Sequence, residues 1–176
     1  ISLGMGRLKI IDLSSKNLCP YINKDLVLTF NGEIYNFKDL RSELKILGYK
    51  FKTKSDTEVL ALAWHKWGPK VFSKLNGMFA FAIYDKRIGK LFLARDIAGE
   101  KPLYYIYRNN KLYFASEAKS LVNKLNLKKK INKSYGVFQH CLNETLFKDL
   151  LQVPAANYLE YNLKTKKIVN INEYWT

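Results

Sequence analysis

The chain has 176 residues, of which 48% are hydrophobic and 14% aromatic, so it can bury the core of one domain, and extended disorder is excluded as its main state. A formal charge of +15 is typical of proteins that bind nucleic acid or an anionic membrane. However, the lysines are scattered, Lys128–Lys130 is the one run, and arginine occurs five times. We therefore expect no nucleic-acid and no membrane partner, with a basic nucleic-acid binder kept as an alternative.

Cysteine and histidine usage argues against disulfides and metal sites. Cys19 and Cys141 form no CxxC motif, and His65 and His140 have no paired ligand at metal-binding spacing. The longest apolar stretch, residues 78–84, is too short to cross a membrane, and no segment resembles a signal peptide. The sequence therefore predicts a reduced, cytoplasmic protein without a metal.

In chain order, the first half mixes strands and helices. An apolar run at residues 7–13 predicts a strand, and a second run at residues 26–30 ends at Asn31-Gly32-Glu33. Helical periodicity follows at residues 39–47 and stops at Gly48, and residues 49–51 read as a short extended piece. A second helix at residues 59–64 ends at Gly68-Pro69, with a short helix predicted at residues 71–75.

The second half consists mainly of strands joined by turns. Strands are predicted at residues 78–84, 91–95, 103–108 and 112–115, then a short helix at residues 117–122 and strands at residues 158–161 and 167–169. This order indicates an α+β domain with largely antiparallel sheets.

Three polar clusters interrupt these apolar elements, and each has a purely structural explanation. Arg7 could be a solvated residue at a strand edge, and Asn31-Gly32 a plain turn. Ser55 and Glu58 have the spacing of a helix capping box.

Taken together, the same clusters suit one small ligand. An arginine can bind a carboxylate through two hydrogen bonds, and acidic side chains can hold an ammonium group. An asparagine amide beside a glycine N–H supplies two donors for an oxyanion. A carboxylate, an ammonium group and a carbonyl under attack together describe glutamine.

The motifs "FNGEIYNFKDLRSEL", "GYKFKTKSDTEVLALAWHKWG", "LNGMFAFAIYDKRIGKLFLARDIAGEKPLYY" and "FASEAKSL" resemble the glutaminase domain of glutamine-hydrolysing asparagine synthetases. The resemblance spans nearly the whole chain, so residues 1–176 are expected to form one glutamine amidotransferase domain. It implies a class II, N-terminal-nucleophile hydrolase fold, a four-layer αββα sandwich with two antiparallel sheets. Asn31-Gly32-Glu33 would then be a substrate-binding elbow between strand and helix, not a hairpin turn.

The resemblance also assigns roles to residues. Asn31 and Gly32 would form the oxyanion hole, and Glu33 and Asp56 would contact the α-amino group of glutamine. The glutamine α-carboxylate would be held by Arg7 and the strand that follows it, namely Leu8, Lys9, Ile10 and Ile11.

Family members use an N-terminal cysteine as nucleophile, and neither Cys19 nor Cys141 can supply one. By family analogy we expect about forty to fifty upstream residues that begin Met-Cys-Gly. A C-terminal synthetase domain in cis, which would use ATP and Mg²⁺ to amidate aspartate, is also implied, and a homodimer is possible. No cofactor is expected in the present domain.

Two alternatives stay open within this resemblance. The first is an amidotransferase of the same architecture that acts on another acceptor, such as a sugar or a secondary-metabolite carboxylate. The second is a glutamine-binding domain without catalysis.

Overall fold

A computed structural model of the chain describes residues 2–4, 20–127, 145–147 and 149–175. The helices are α1 (Phe37–Ile46), α2 (Asp56–Trp67) and α3 (Ala118–Leu125), with a 3₁₀-helix at Gly68–Lys74. The strands are β1 (Tyr21–Ile22), β2 (Leu26–Ile34), β3 (Gly77–Asp85), β4 (Lys90–Arg95), β5 (Tyr104–Arg108), β6 (Lys111–Ala115), β7 (Leu151–Gln152), β8 (Asn157–Asn162) and β9 (Lys167–Glu173).

The strands form two antiparallel sheets. The larger sheet has six strands in the order β1-β2-β3-β4-β8-β9, and the smaller has three in the order β6-β5-β7. In the larger sheet, short turns join β1 to β2, β3 to β4 and β8 to β9, whereas β2–β3 and β4–β8 pair across long sequence separations. The fold therefore combines local hairpins with two long-range pairings.

Three apolar clusters separate four layers. Along β3, Phe79, Phe81 and Ile83 pack against α1 and α2, while Ala80 and Ala82 face the smaller sheet. This alternation follows from the two-residue period of a strand, which buries both faces of a central strand. On the far side of the smaller sheet, Ile106 packs against Leu121 of α3. The helix–sheet–sheet–helix order confirms the expected four-layer sandwich.

The structure corrects the elbow predicted after Phe30. β2 continues through Asn31, Gly32 and Glu33 to Ile34, which pairs with Gly77. The Asn-Gly pair is therefore neither a hairpin turn nor a strand end, because β3 is long enough to pair with all nine residues of β2.

Smaller differences concern short elements. Residues 49–51 form no strand, and the short helix predicted at residues 71–75 is a 3₁₀-helix that begins at Gly68. The two-residue strands β1 and β7 are missing from the prediction, since so short a run carries no periodicity. The strand predicted at residues 7–13 lies outside the described residues. Among the helices that the structure describes, none has the length and apolarity needed to cross a bilayer.

Candidate functional site

An inter-sheet cavity of about 410 Å³ lies beside the second half of β2. Thr29 and Asn31 line it from the larger sheet, and Ala80 and Ala82 of β3 continue that wall. The opposite wall comes from the end of β6 and the residues around the start of α3, with Phe114, Ser116, Glu117 and Ser120. The cavity therefore brings two distant parts of the chain to one space.

The Asn31 side chain enters this cavity because of the strand period. Leu28 and Phe30 of β2 point toward the helices, so Thr29 and Asn31 must point toward the smaller sheet. The Asn31 amide nitrogen donates a hydrogen bond to the Ser116 hydroxyl, with 3.4 Å between Nδ2 and Oγ. This contact uses one of the two amide hydrogens and leaves the other for a ligand.

Gly32 stands where β2 and β3 approach unusually closely. Its φ is 144°, and a Cβ built on it would lie 2.1 Å from the Met78 carbonyl oxygen. On the other strand, a Cβ on Gly77 would lie 2.2 Å from the Glu33 carbonyl oxygen. Two glycines therefore flank the Glu33–Met78 pair because no side chain fits at either position.

The pairing pattern shows where the Gly32 N–H points. Phe79, the partner of Gly32, uses both backbone groups toward Asp96: its N–H donates to Oδ2 at 3.2 Å, and its carbonyl accepts from the Asp96 N–H at 2.8 Å. Opposed residues in an antiparallel pair exchange both hydrogen bonds or neither. The Gly32 N–H therefore points away from β3, toward the other edge of β2.

Asp56 lies at this same edge of β2. Ile34, two residues after Gly32, donates its backbone N–H to Asp56 Oδ2 at 3.2 Å. Because alternate residues of a strand aim their N–H groups at the same edge, Gly32 and Ile34 point their N–H groups the same way, about 6–7 Å apart. The Asp56 carboxylate therefore lies at the same strand edge as the Gly32 N–H, although it starts a helix in another layer.

A loop held by several hydrogen bonds precedes and positions Asp56. The Glu58 carboxylate accepts hydrogen bonds from the backbone N–H groups of Lys52 (2.9 Å) and Thr53 (2.7 Å), and Ser55 Oγ accepts from the Glu58 N–H at 3.2 Å. The Arg41 guanidinium donates to the carbonyls of Thr53 (2.9 Å) and Ser55 (3.1 Å). The predicted N-cap of α2 by Ser55 is thus confirmed. The Glu58 carboxylate does not complete the capping box, because it binds the backbone of the preceding loop.

Two carboxylates, Glu33 and Asp56, lie near each other without a described counter-ion. Burial raises the pKa of Asp56 and the Glu33 charge adds to the rise, although hydrogen bonds from the N–H groups of Ile34 and Thr57 oppose it. Among the described residues, no Lys, Arg or His nitrogen lies within 4 Å of either carboxylate. A ligand cation bound here would offset both the desolvation cost of the buried carboxylate and the repulsion between the two carboxylates.

The predicted site residues have different outcomes. The structure places Asn31, Gly32, Glu33 and Asp56 around one end of β2, but of these only Asn31 lines the 410 Å³ cavity. The predicted carboxylate-binding set, Arg7, Leu8, Lys9, Ile10 and Ile11, lies outside the described residues.

Sequence reasoning missed Ser116, although it belongs to the "FASEAKSL" motif. Its position directly after a strand was the one signal that could have found it. In the described part of the chain, no three His, Cys, Asp or Glu side chains cluster closely enough to hold a metal ion.

Replacement of Gly32 by alanine should destabilise the domain. The new Cβ would overlap the Met78 carbonyl, and an L side chain disfavours the φ of 144°, so we expect a loss of about 1–3 kcal/mol in the free energy of unfolding. Urea denaturation measures this loss. Gly4→Ala is the matched control, since its Cβ would meet no atom within 4 Å. An unchanged midpoint for Gly32→Ala would contradict the close approach of the strands.

The four-layer arrangement of helices and sheets also occurs in solved structures of glutamine-using enzymes. Glutamine phosphoribosylpyrophosphate amidotransferase from B. subtilis, solved with ADP and GMP, superposes with a TM-score of 0.65 at 23% identity. The match covers 93% of this chain and 33% of that one. A glutamine aminotransferase class-II domain protein from Silicibacter pomeroyi superposes with a TM-score of 0.53 at 15% identity and covers 92% and 72% of the two chains. At these identities, the likeness establishes the fold.

The sequence establishes the family. The glutamine amidotransferase domain profile matches residues 1–175, and the chain belongs to this family. Asparagine synthetase [glutamine-hydrolyzing] 1 of Bacillus subtilis is 43% identical over 79% of the chain, and synthetase 3 of the same organism is 32% identical over 99%. The chain spans 23% of the first relative and 30% of the second.

Proposed function

We propose that this domain binds L-glutamine and hydrolyses its side-chain amide to glutamate and ammonia. The observation that supports the proposal is the end of β2, where the Asn31 amide and the Gly32 N–H lie on neighbouring residues and two carboxylates lack a described counter-ion. The donors suit an oxyanion and the carboxylates suit an ammonium group. An α-amino acid with a reactive amide presents both groups.

In the proposed reaction, the thiolate of the expected upstream cysteine attacks the carbonyl carbon of the glutamine amide. The Asn31 amide and the Gly32 N–H stabilise the oxyanion of the tetrahedral intermediate. The α-amino group of that cysteine, having taken up the thiol proton, passes it to the leaving nitrogen, so that collapse of the intermediate breaks the carbon–nitrogen bond, releases ammonia and leaves a thioester. Water then cleaves the thioester to glutamate and restores the thiol.

The acceptor of the ammonia is proposed by analogy with the relatives. These relatives are named asparagine synthetase, and they are much longer than this chain. We propose that a synthetase domain of the same polypeptide uses ATP and Mg²⁺ to amidate aspartate in the cytoplasm. A different acceptor would leave the glutaminase chemistry unchanged.

Glutamate release by the full-length protein tests the proposal. The protein is incubated with glutamine and compared with a variant in which the upstream cysteine is replaced by alanine. We expect release that depends on the cysteine. If release equals that of the variant while calorimetry still detects glutamine binding, the domain binds glutamine without catalysis, and the proposal is wrong.

Ser116 should act as a positioning residue in this reaction. Its hydroxyl orients the Asn31 amide, so Ser116→Ala should lower kcat by about 2–10-fold, the effect of one neutral hydrogen bond, with KM unchanged. Ser116→Thr should retain the rate. Ser120→Ala, in the same cavity wall, is the matched control. Equal effects of the two alanine variants would show that the contact has no catalytic role.

A further inference from the structure

A second inter-sheet cavity of about 560 Å³ lies at the other end of the strands. Its apolar floor continues the core between the two sheets, with Leu91, Leu112 and Tyr161 contributed by both. Leu91 pairs with Tyr84, which pairs with Val27. Since Val27 precedes Asn31 by four residues, the floor lies about 13 Å from the glutaminase site along the strand direction.

Two turns shape the mouth of this cavity, and hydrogen bonds hold them together. The Tyr161 hydroxyl donates to the Asn110 carbonyl at 3.0 Å, and the Tyr107 hydroxyl donates to the Lys166 carbonyl at 2.7 Å. The β5–β6 turn and the β8–β9 turn are therefore fastened to each other across the two sheets.

The rim of the cavity is cationic and uncompensated. Lys111 and Lys166 line it, and no carboxylate of a described residue lies within 4 Å of either ammonium nitrogen. Glu160 and Asp85, on the other face of the larger sheet, pair with Lys90 (2.5 Å) and Arg87 (2.6 Å) instead. The rim therefore favours an anion.

We infer that this cavity binds a small organic anion with an apolar body, such as an aliphatic or aromatic carboxylate. The apolar body would occupy the floor between the sheets, and the carboxylate would lie between Lys111 and Lys166. The volume falls within the range of small-molecule sites, which are mostly apolar with a few polar groups at defined positions. Phe114 forms part of the wall of both cavities and separates this ligand from glutamine.

Calorimetric titration of the full-length protein with octanoate tests the inference, with octanamide as the uncharged analogue. We expect octanoate to bind about tenfold more tightly than octanamide, because only the carboxylate gains charge-assisted hydrogen bonds. Replacing both Lys111 and Lys166 by glutamine should remove this preference and leave octanamide binding unchanged. The backbone hydrogen bond at Lys166 does not depend on its side chain, so the turn should persist.

The matched control removes two charges of the β8–β9 hairpin that do not line the cavity, in a Lys164→Gln, Lys167→Gln variant. It should keep the preference for octanoate. Three results would each overturn the inference: no octanoate binding, equal affinity for octanoate and octanamide, or an equal loss of preference in the two double variants. Thermal melting shows whether each variant is folded.

Discussion

Replacing Asn31 by alanine should lower kcat for glutamine hydrolysis by about 10²–10³-fold, the usual effect of losing one oxyanion donor. The Asn31 side chain enters the inter-sheet cavity and is oriented by Ser116. Because an oxyanion exists only in the transition state and the intermediate, the loss should fall on kcat with little change in KM. Steady-state glutamate release by the full-length protein measures both parameters.

Asn170→Ala is the matched control for this experiment. Asn170 is an exposed residue of β9 and does not line the cavity, so its variant should keep the wild-type kcat. A raised KM with unchanged kcat for Asn31→Ala would mean that Asn31 binds ground-state glutamine. That result would remove it from the oxyanion hole.

Replacing Asp56 by asparagine should raise the KM for glutamine by about tenfold or more, since a hydrogen bond to a charged group contributes about 1.5–3 kcal/mol. Its carboxylate is buried, and we propose that it binds the glutamine α-ammonium group. Only the ionised carboxylate attracts a cation. The kcat should change much less than KM, because the ammonium group is the same in the ground state and the transition state.

The pH dependence of KM separates this role from a structural one. Burial and the Glu33 charge raise the pKa of Asp56 above its usual range. A raised pKa means that the carboxylate takes up its proton at a higher pH than usual. As the pH falls through this pKa, the wild-type KM for glutamine should therefore rise.

Two variants complete the pH experiment. The Asp56→Asn variant should lose the acid limb of the KM profile, since it has no proton to gain. Asp39→Asn, an exposed acid in the first turn of α1, should retain it. An unchanged acid limb in the Asp56 variant would refute the assignment of the ammonium group.

The period of the apolar residues was enough to predict most elements of the fold. The strands from residue 77 to residue 115 and the two long helices of the first half agree with the predictions to within a few residues. These segments alternate or repeat strongly because they bury one or two complete faces. Where burial is incomplete, as in β1 and β7, no such pattern exists.

The continuation of β2 shows the limit of local reasoning. Asn31-Gly32 has the composition of a turn, and nothing within residues 26–34 excludes one. The strand continues because Gly32 and Gly77, which are 45 positions apart, both lack the side chain that would separate β2 from β3. Local reasoning also fails for Ser116, because it is 85 positions from Asn31 and contacts it only across the two sheets.

The sequence by itself determined the α+β class, the family and the residue types of the candidate site, because these depend on local periodicity and on ordered motifs. Only the tertiary structure decided that the Gly32 N–H and the Asp56 carboxylate share one strand edge, and that a cationic cavity opens at the far end of the sheets. Both features depend on strand register and on the packing of one sheet against the other. Register and packing arise from contacts between distant residues, which no local pattern encodes.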